Sequence, residues 1–391
     1  MYTVSVIVPT HNRARYAVKT VCSLLQASPD IEVVVSDTSD DDQLQVGLAA
    51  YASDPRVRIV RPGQNISVVD NFNAALLAAS GEYLAFIGDD DFVSSDIVDV
   101  ASWASRNRVD AIKFSFPALY FWPDFMHKSR GGFYGGTLRV MPYSGKVTLH
   151  DPVRALDEAL KNFGAGVLEM PRAYAGMISR ELADRIRLKY GALFGGVSPD
   201  IYSAALISLE SVRCVKIDYP VIIPGASGAS TAGQSANGGH VGKLRDNPHI
   251  GAFKDLVWDP CIPEFYSVPT VWSFSLLKAI ERAGIHRSRV RFSRLFVKCF
   301  LFQRAYKNCT FAAMSEYLRN NSIISIMPKI LADFIREIFW IFGKVREKLL
   351  ERFDGLSVEV IDGLGATDEA MVSLGNFTKM HGIKLNLKDI D

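Results

Sequence analysis

Short runs of apolar residues alternate with helically spaced ones along the first hundred positions of the chain. Each run is long enough for one buried strand, and between the runs apolar residues recur every three or four positions. The predicted strands are 3–8, 31–36, 57–60 and 83–87, and the predicted helices are 14–26, 44–52 and 67–80. Because strands that are apolar along their whole length are buried on both faces, the pattern predicts an α/β fold, a Rossmann-like, mostly parallel sheet flanked by helices.

The alternation of strand-like and helix-like segments becomes less regular after position 100. The stretch 111–147 is rich in aromatic residues, and the Gly/Ser/Ala-rich stretch 225–242 is predicted to be a long flexible loop. Residues 251–350 have helical spacing and predict a helical, partly amphipathic C-terminal region. Residues 351–391 are predicted to form a small C-terminal unit or tail, with candidate strands at 357–361 and 383–387.

The stretch 323–350 predicts an amphipathic helix. Lys329, Asp333 and Arg336 fall on one predicted face, and Phe334 and Ile338 fall on the other. Such a helix is typical of a peripheral contact with an anionic membrane surface, but also of a helix packed on its own domain or on a second subunit. Periodicity does not separate these alternatives, and a homo-oligomer stays open. No stretch reaches the roughly 18 uncharged apolar residues of a membrane span.

Composition narrows the class of partner. The 391 residues carry a net charge of +2, which is too balanced for a nucleic-acid-binding surface. The five cysteines are scattered without paired spacing, as in reduced cytosolic proteins. Met1 leads straight into the first apolar run, so we expect no signal peptide. The expected location is cytoplasmic, extending to the inner face of the cell membrane if the amphipathic helix is interfacial.

Polar residues follow the predicted strands at their carboxyl ends, where open α/β sheets bind ligands. Asp37 follows the second strand, and Gly88-Asp89-Asp90-Asp91 follows the fourth. Three neighbouring carboxylates at the end of a buried strand repel one another, and a divalent cation with hard oxygen ligands removes that cost. With no glycine-rich dinucleotide turn and no P-loop, phosphate is expected to be held by metal and side chains.

The opening strand and turn, Val4 to Arg13 (VSVIVPTHNR), resemble those of the family 2 glycosyltransferases, which have the GT-A fold. The stretch 31–39 resembles the second strand of that family, with Asp37 as its retained aspartate. The stretch 65–91 (NISVVDNFNAALLAASGEYLAFIGDDD) resembles the family's helix, strand and DxD-type metal motif. The resemblance is good over residues 1–100 and looser to about 240.

The resemblance implies a nucleotide-sugar-binding half over 1–100 and an acceptor-binding half over 101–250. It implies that Asp37 contacts the nucleobase and that Asn71 approaches the donor, and the position of Asp89 in the aspartate cluster predicts a contact with the ribose. The turn after the first strand is expected to contact the donor as well, through Pro9, Thr10, His11, Asn12 and Arg13. Asp90 and Asp91 are expected to bind Mn²⁺ or Mg²⁺, with His240 as a further ligand after the flexible loop.

The implied reaction is an inverting transfer of a sugar from a nucleoside-diphosphate sugar to a glycan or lipid-linked glycan in polysaccharide biosynthesis. It needs a general base, and the resemblance places that base at Asp200, in Ser198-Pro199-Asp200 at the start of a predicted helix. Glu169 and Asp184 are lesser candidates. Two alternatives stay open: a sugar nucleotidyltransferase, and a catalytically silent glycan-binding or scaffold protein on the same fold.

Overall fold

The computed structural model describes residues 2–63, 65–230, 233–234, 241–253, 255–354 and 358–388, and within 344–354 the backbone alone. The strands are β1 (Val4–Thr10), β2 (Ile31–Asp37), β3 (Val57–Val60), β4 (Tyr83–Phe86), β5 (Phe92–Val93), β6 (Ala111–Phe114), β7 (Ala118–Phe121), β8 (Thr137–Val140), β9 (Val147–Leu149), β10 (Met177–Ser179), β11 (Cys214–Ile217), β12 (Ile222–Ile223), β13 (Gly225–Ala226) and β14 (Glu359–Ile361). The helices are α1 (Ala14–Ala27), α2 (Gln43–Gly47), α3 (Val68–Ala78), α4 (Asp96–Arg106), α5 (Pro152–Lys161), α6 (Arg180–Tyr190), α7 (Pro199–Glu210), α8 (Pro248–Gly251), α9 (Val268–Arg282), α10 (Phe292–Phe302), α11 (Lys307–Arg319), α12 (Ile323–Asp354) and α13 (Thr367–Met380).

The central sheet has eight strands in the order β3-β2-β1-β4-β10-β6-β11-β9. The first four run parallel, with Val6 of β1 paired to Val33 on one side and to Ala85 on the other. Strand β10 is antiparallel to both of its neighbours, and β11 is parallel to β6. The predicted mixed α/β fold with a mostly parallel sheet is confirmed, and it brings the carboxyl ends of β1, β2 and β4 to one edge.

The predicted elements of the first hundred residues are present with shifted ends, except that the helix predicted at 44–52 is only the five-residue α2 followed by a short 3₁₀ turn at Ala49–Tyr51. Helix α3 begins with a capping box between Ser67 and Asp70. It stops at Ala78 rather than at residue 80, because Ala79 is extended and Ser80 donates two hydrogen bonds, of 2.7 and 2.8 Å, to the buried carboxylate of Glu32. A long-range bond to another strand therefore ends the helix.

The segment 358–388 packs on the N-terminal half of the chain. Strand β14 pairs antiparallel with β8, and α13 packs against α1. The apolar face of α13 is buried there, through Ala370, Leu374 and Phe377. The strand predicted at 383–387 is wrong: those residues are irregular, and Asn386 donates its backbone N–H to the Gly145 carbonyl.

The aromatic-rich stretch contributes to a second, four-stranded sheet of order β13-β7-β8-β14. Helices α9 to α12 form the helical C-terminal region that the spacing predicted, with α9 against α7 and α10 against α12. Among the described residues, no helix is both long enough and apolar enough to cross a membrane.

The packing of α13 yields a stability prediction. Leu374→Ala removes a side chain that is 3% exposed and leaves a cavity against α1, so we expect a loss of about 2–4 kcal/mol in the free energy of unfolding. The matched control is Val372→Ala on the same helix, 58% exposed, which should change stability by less than about 0.5 kcal/mol. Denaturant unfolding of the full chain checks both, and equal effects would contradict a buried α13.

Candidate functional site

The polar ends of the first, second and fourth strands meet as the sequence predicted. Thr10 on β1 pairs in register with Asp37 on β2. The Thr10 hydroxyl donates a 2.6 Å hydrogen bond to Asp89 Oδ2, in the turn after β4. We call residues 88–91 the acidic turn. Its three carboxylates are each 3–4% exposed, so their charges are met by protein groups rather than by water.

Among the described residues, the cation that faces the acidic turn is Arg13. Its guanidinium lies 3.1 Å from Asp89 Oδ1 and 3.0 Å from Asp90 Oδ2. Burial raises the pKa of Asp89 to about 7, Arg13 opposes that shift, and the neighbouring charge of Asp90 adds to it. One guanidinium therefore holds two carboxylates together without removing the cost of burying them.

Asp91 has a different environment from its neighbours. Its Oδ2 accepts the backbone N–H of Gly88 at 2.6 Å, and its Oδ1 accepts the backbone N–H of Gly225 at 2.7 Å. Burial raises the pKa of Asp91 to about 7, with the charge of Asp90 adding to the shift and the two backbone bonds opposing it. Asp91 thus fastens β13 to the acidic turn.

Asp90 is bound by residues that the sequence did not single out. Ser227 donates both its backbone N–H, at 3.1 Å, and its hydroxyl, at 2.7 Å, to Asp90 Oδ2. Arg13 in turn donates to the Ser227 hydroxyl at 2.7 Å. The Trp122 indole N–H donates to the Asp90 carbonyl at 2.9 Å. The side chain and the backbone of Asp90 are therefore both fixed.

The stretch predicted as a flexible loop at 225–242 begins instead as strand β13, paired with β7. Gly225 is required there, because a Cβ at this position would lie 1.8 Å from the Asp90 carbonyl oxygen. In the sequence, the only indication of strand β13 was a glycine after a short apolar run. That pattern also indicates a loop. The predicted metal ligand His240 lies outside the described residues.

Tyr174 lies over the acidic turn and was not predicted. The chain on either side of it bonds to the end of β4, with the Phe86 N–H donating to the Ala173 carbonyl and the Ala175 N–H to the Phe86 carbonyl. A Cβ at Gly88 would lie 2.9 Å from the Tyr174 hydroxyl. This contact explains why the turn opens with glycine. No local pattern marks Tyr174, because its position depends on pairing across almost ninety residues.

The predicted base Asp200 lies at the start of α7. Its Oδ1 accepts hydrogen bonds from the Ser198 hydroxyl and, at 2.8 Å, from the Ile201 N–H. Burial, the three aspartates of the acidic turn and Asp200 all raise the pKa of the Tyr174 hydroxyl well above its ordinary value. Asp200 and the acidic turn therefore lie within electrostatic range of one phenol.

His249 on α8 is a second unpredicted neighbour of Asp200. Its Nε2 lies 2.6 Å from the Val197 carbonyl oxygen. Burial lowers the pKa of His249, while the bond to Val197 and the charge of Asp200 oppose the shift. The imidazole is accordingly neutral at physiological pH, and its Nε2–H donates to the carbonyl.

The predicted donor-contacting residues have these placements. Asp37 is buried and accepts hydrogen bonds from the Ser39 N–H and the Gln45 side chain, both at 2.9 Å. Asn71 is buried beneath β2 and bonds to Ser36, whose hydroxyl donates to Asn71 Oδ1 at 2.6 Å.

Pro9 and Thr10, which the sequence assigned to the turn, are the last two residues of β1 and pair with Ser36 and Asp37. His11 and Asn12 follow in the turn, are exposed and bond to the turn after β2. Asn12 has a positive φ of 54°, a conformation that asparagine tolerates better than most residues. The turns after β1 and β2 thus form one connected rim.

A divalent cation would find suitable oxygen ligands in the acidic turn. Asp89 Oδ1 is buried and accepts no hydrogen bond of good geometry from the described residues. Asp89 and Asp90 both direct an oxygen at the position that the Arg13 guanidinium takes. Within the described ranges, however, no three His, Cys, Asp or Glu side chains are already arranged as a metal site. The carboxylates fit a hard cation once Arg13 gives way.

Comparisons with known proteins bear on this geometry. Residues 5–148 match the family model described as glycosyl transferase family 2. The chain is 35% identical over 99 residues to chondroitin synthase of Pasteurella multocida (strain Pm70), covering 25% of this chain and 10% of that protein. It is 36% identical over 114 residues to the putative teichuronic acid biosynthesis glycosyltransferase TuaG of Bacillus subtilis (strain 168), covering 29% of this chain and 45% of that protein.

Among solved structures, S. aureus TarS 1–349 in complex with UDP-GlcNAc overlaps this chain with a TM-score of 0.44 at 16% identity. The overlap covers 85% of this chain and 89% of that one. The chain spans about a tenth of the length of the first curated relatives that it matches.

The raised pKa values of Asp89 and Asp91 predict a pH dependence of stability. Both rise to about 7, so from about pH 4 to 7 the folded protein binds more protons than the unfolded chain. Their contribution to stability is fully present below about pH 4 and is lost as the pH rises through about 7. We expect the metal-free protein to unfold at a lower temperature as the pH rises through this window, measured by thermal unfolding in EDTA.

Asp89→Asn should flatten that pH profile, because the amide does not titrate. The matched control is Asp184→Asn, a substitution on helix α6 that should keep the wild-type slope. If wild type and Asp89→Asn had the same slope, the burial-driven shift at Asp89 would be rejected.

Proposed function

We propose that this chain is a member of glycosyl transferase family 2, which the match over residues 5–148 supports, and that the whole protein is a metal-dependent, inverting glycosyltransferase. It moves a sugar from a nucleoside-diphosphate sugar to a hydroxyl of a glycan or lipid-linked glycan. The observation that carries the proposal is the buried acidic turn at the carboxyl edge of the parallel strands, with Asp200 in electrostatic range through Tyr174. Carboxylates near one buried phenol suit a reaction with a departing diphosphate and an attacking hydroxyl.

The donor contacts are assigned to the connected rim of β1 and β2. Asp37 accepts hydrogen bonds from the nucleobase, and Asp89 from the ribose. The exposed residues His11 and Asn12 are available to a ligand, which supports this placement. Asn71 supports the rim from beneath through its bonds to Ser36.

Asp90 and Asp91 are the proposed ligands of Mg²⁺ or Mn²⁺, and His240 is a further candidate. When bound, such an ion stabilises the negative charge that grows on the leaving diphosphate. Asp89 and Asp90 share Arg13 as their counter-cation in this structure. Once a metal ion neutralises Asp90, the guanidinium of Arg13 can turn to an oxygen of the donor phosphate. A metal ion at Asp91 would share its two oxygens with the Gly88 and Gly225 N–H groups that donate to them in this structure.

Asp200 is the proposed general base. The two hydrogen bonds to its Oδ1 orient the carboxylate, and its Oδ2 accepts none from the described residues. The acceptor oxygen forms its bond to the anomeric carbon from the face opposite the diphosphate, and the bond from that carbon to the diphosphate oxygen breaks. The acceptor proton passes to Asp200. Attack from the opposite face inverts the anomeric configuration.

A glycan acceptor is supported by the names of the relatives, which include a chondroitin synthase, a hyaluronan synthase and a putative teichuronic acid glycosyltransferase. Each is a protein that builds or extends a polysaccharide by name. We extend that acceptor class to this chain, in polysaccharide biosynthesis, and assign the reaction to the cytoplasm.

Donor binding is tested by a thermal-shift panel of nucleoside-diphosphate sugars, each with MnCl₂, with MgCl₂ and with EDTA. We expect at least one donor to raise the melting temperature only when metal is present. Asp90→Ala should abolish that shift, because it removes a carboxylate from the phosphate edge. Asp246→Ala, an exposed carboxylate elsewhere, is the control and should keep it. Full donor binding in EDTA would reject the metal role.

Measurement of turnover beside donor binding distinguishes the proposed base from residues that only bind the donor. Asp200→Asn should retain donor binding and lower kcat by about 10²-fold or more, because the amide cannot take the acceptor proton. The control Asp184→Asn tests a lesser candidate and should keep wild-type turnover. Release of nucleoside diphosphate with an oligosaccharide acceptor gives the rate, and an active Asp200→Asn variant would exclude Asp200 as the base.

A further inference from the structure

Helix α12 packs with its acidic side inward. Asp333 and Glu337 are fully buried, although both side chains are charged. Ile326 is buried on the same side of the helix. The charged face predicted from the spacing is therefore divided: its acids point into the protein, whereas Lys329 and Arg336 are exposed. The helix does bring Lys329, Asp333 and Arg336 to one sector, but Asp333 is covered by α10 whereas the two cations stay exposed.

Cations on and beside α10 hold this side of the helix. Arg291 Nε lies 2.9 Å from Asp333 Oδ2, and the Ser293 hydroxyl donates to the same oxygen at 2.7 Å. Arg294 and Lys298 lie 2.8 and 2.9 Å from Glu337 Oε1. Buried ion pairs of this kind fix which face of a helix packs, since removing one partner would leave a buried charge unpaired.

The apolar side of α12 faces outward as a result. Nine large apolar side chains of the stretch 323–343 are 41–82% exposed. They are Ile323, Ile324, Met327, Leu331, Phe334, Ile335, Phe339, Trp340 and Phe342. Phe302 at the end of α10 is 48% exposed and contacts Trp340, so the patch continues onto a second helix. A surface helix of a water-soluble domain normally has the opposite arrangement.

The charge of this patch indicates what covers it. Asp333 and Glu337 are the only acids within 323–343, and both are hidden. The charged side chains that this stretch exposes are therefore Lys329 and Arg336, beside four large aromatic residues. Apolar and aromatic side chains edged by cations suit the interface of an anionic bilayer, where the rings enter the headgroup boundary and the cations meet lipid phosphates.

We propose that the outward face of α12, together with Phe302, is a docking surface for an anionic lipid bilayer. The helix lies in the interface, since among the described residues no helix can span a membrane. A second copy of the chain suits this surface less well than a bilayer does. A symmetric contact through the patch would bring the exposed cations of both copies together. The proposal does not depend on the sugar-transfer reaction proposed above.

Vesicle co-sedimentation of the full chain tests this surface. We expect binding to vesicles of phosphatidylcholine mixed with phosphatidylglycerol, and much weaker binding to phosphatidylcholine alone. The double variant F339S/F342S should lower the partition coefficient about tenfold or more, because it removes two exposed aromatic anchors. K329Q/R336Q should lower it about tenfold or more on the anionic vesicles, with little change on the neutral ones.

The matched control is Leu188→Ser, which alters an 89% exposed apolar residue on α6, away from the patch, and should bind like wild type. Because all the substituted side chains are exposed, melting temperatures should equal that of wild type. Sedimentation velocity tests the alternative, which is that the patch joins two copies of the chain. The proposal would be overturned if the wild type did not bind anionic vesicles. It would also be overturned if the wild type formed a dimer that F339S/F342S dissociates and bound no lipid.

Discussion

Burial of three consecutive carboxylates at the end of one strand is the constraint on which the candidate site depends. Such a cluster is stable only if each charge has a partner. Asp89 pairs with Thr10 and Arg13, Asp90 with Ser227 and Arg13, and Asp91 with two backbone N–H groups. These partners come from strand β1 and the turn after it, from the acidic turn itself and from the segment after β12, so the acidic turn joins distant parts of the chain.

The same constraint explains the glycines of the site. Gly88 leaves room for the Tyr174 hydroxyl, and Gly225 lets β13 approach the Asp90 carbonyl more closely than any side chain allows. Burial and the charges of Asp89, Asp90, Asp91 and Asp200 all raise the pKa of the Tyr174 hydroxyl. Arg13 is a single, partly exposed counter-cation for two carboxylates, and a ligand that supplied a second cation would release it. The pairing of Arg13 with Asp89 and Asp90 is thus suited to replacement of the guanidinium by another cation.

Pairing of buried carboxylates with cations also determines how helix α12 packs. Its two buried carboxylates are matched by cations on and beside α10, and this match decides which face of the helix packs. Ile326 is buried on the same side, so the packed face combines ion pairs with apolar contact, and large apolar side chains remain exposed on the outer side.

By itself, the sequence determined the alternating strands and helices of the first hundred residues, the common edge of the polar strand ends and the family resemblance. Those features are local or follow from parallel pairing. Only the tertiary structure decided that Arg13 meets the acidic turn, that Ser227 and Tyr174 belong beside it, that residues 383–387 are irregular, and that α12 packs by its acids. Each of these depends on groups far apart in the chain, and neither the spacing of apolar residues nor a short motif encodes which distant charge a buried charge will meet.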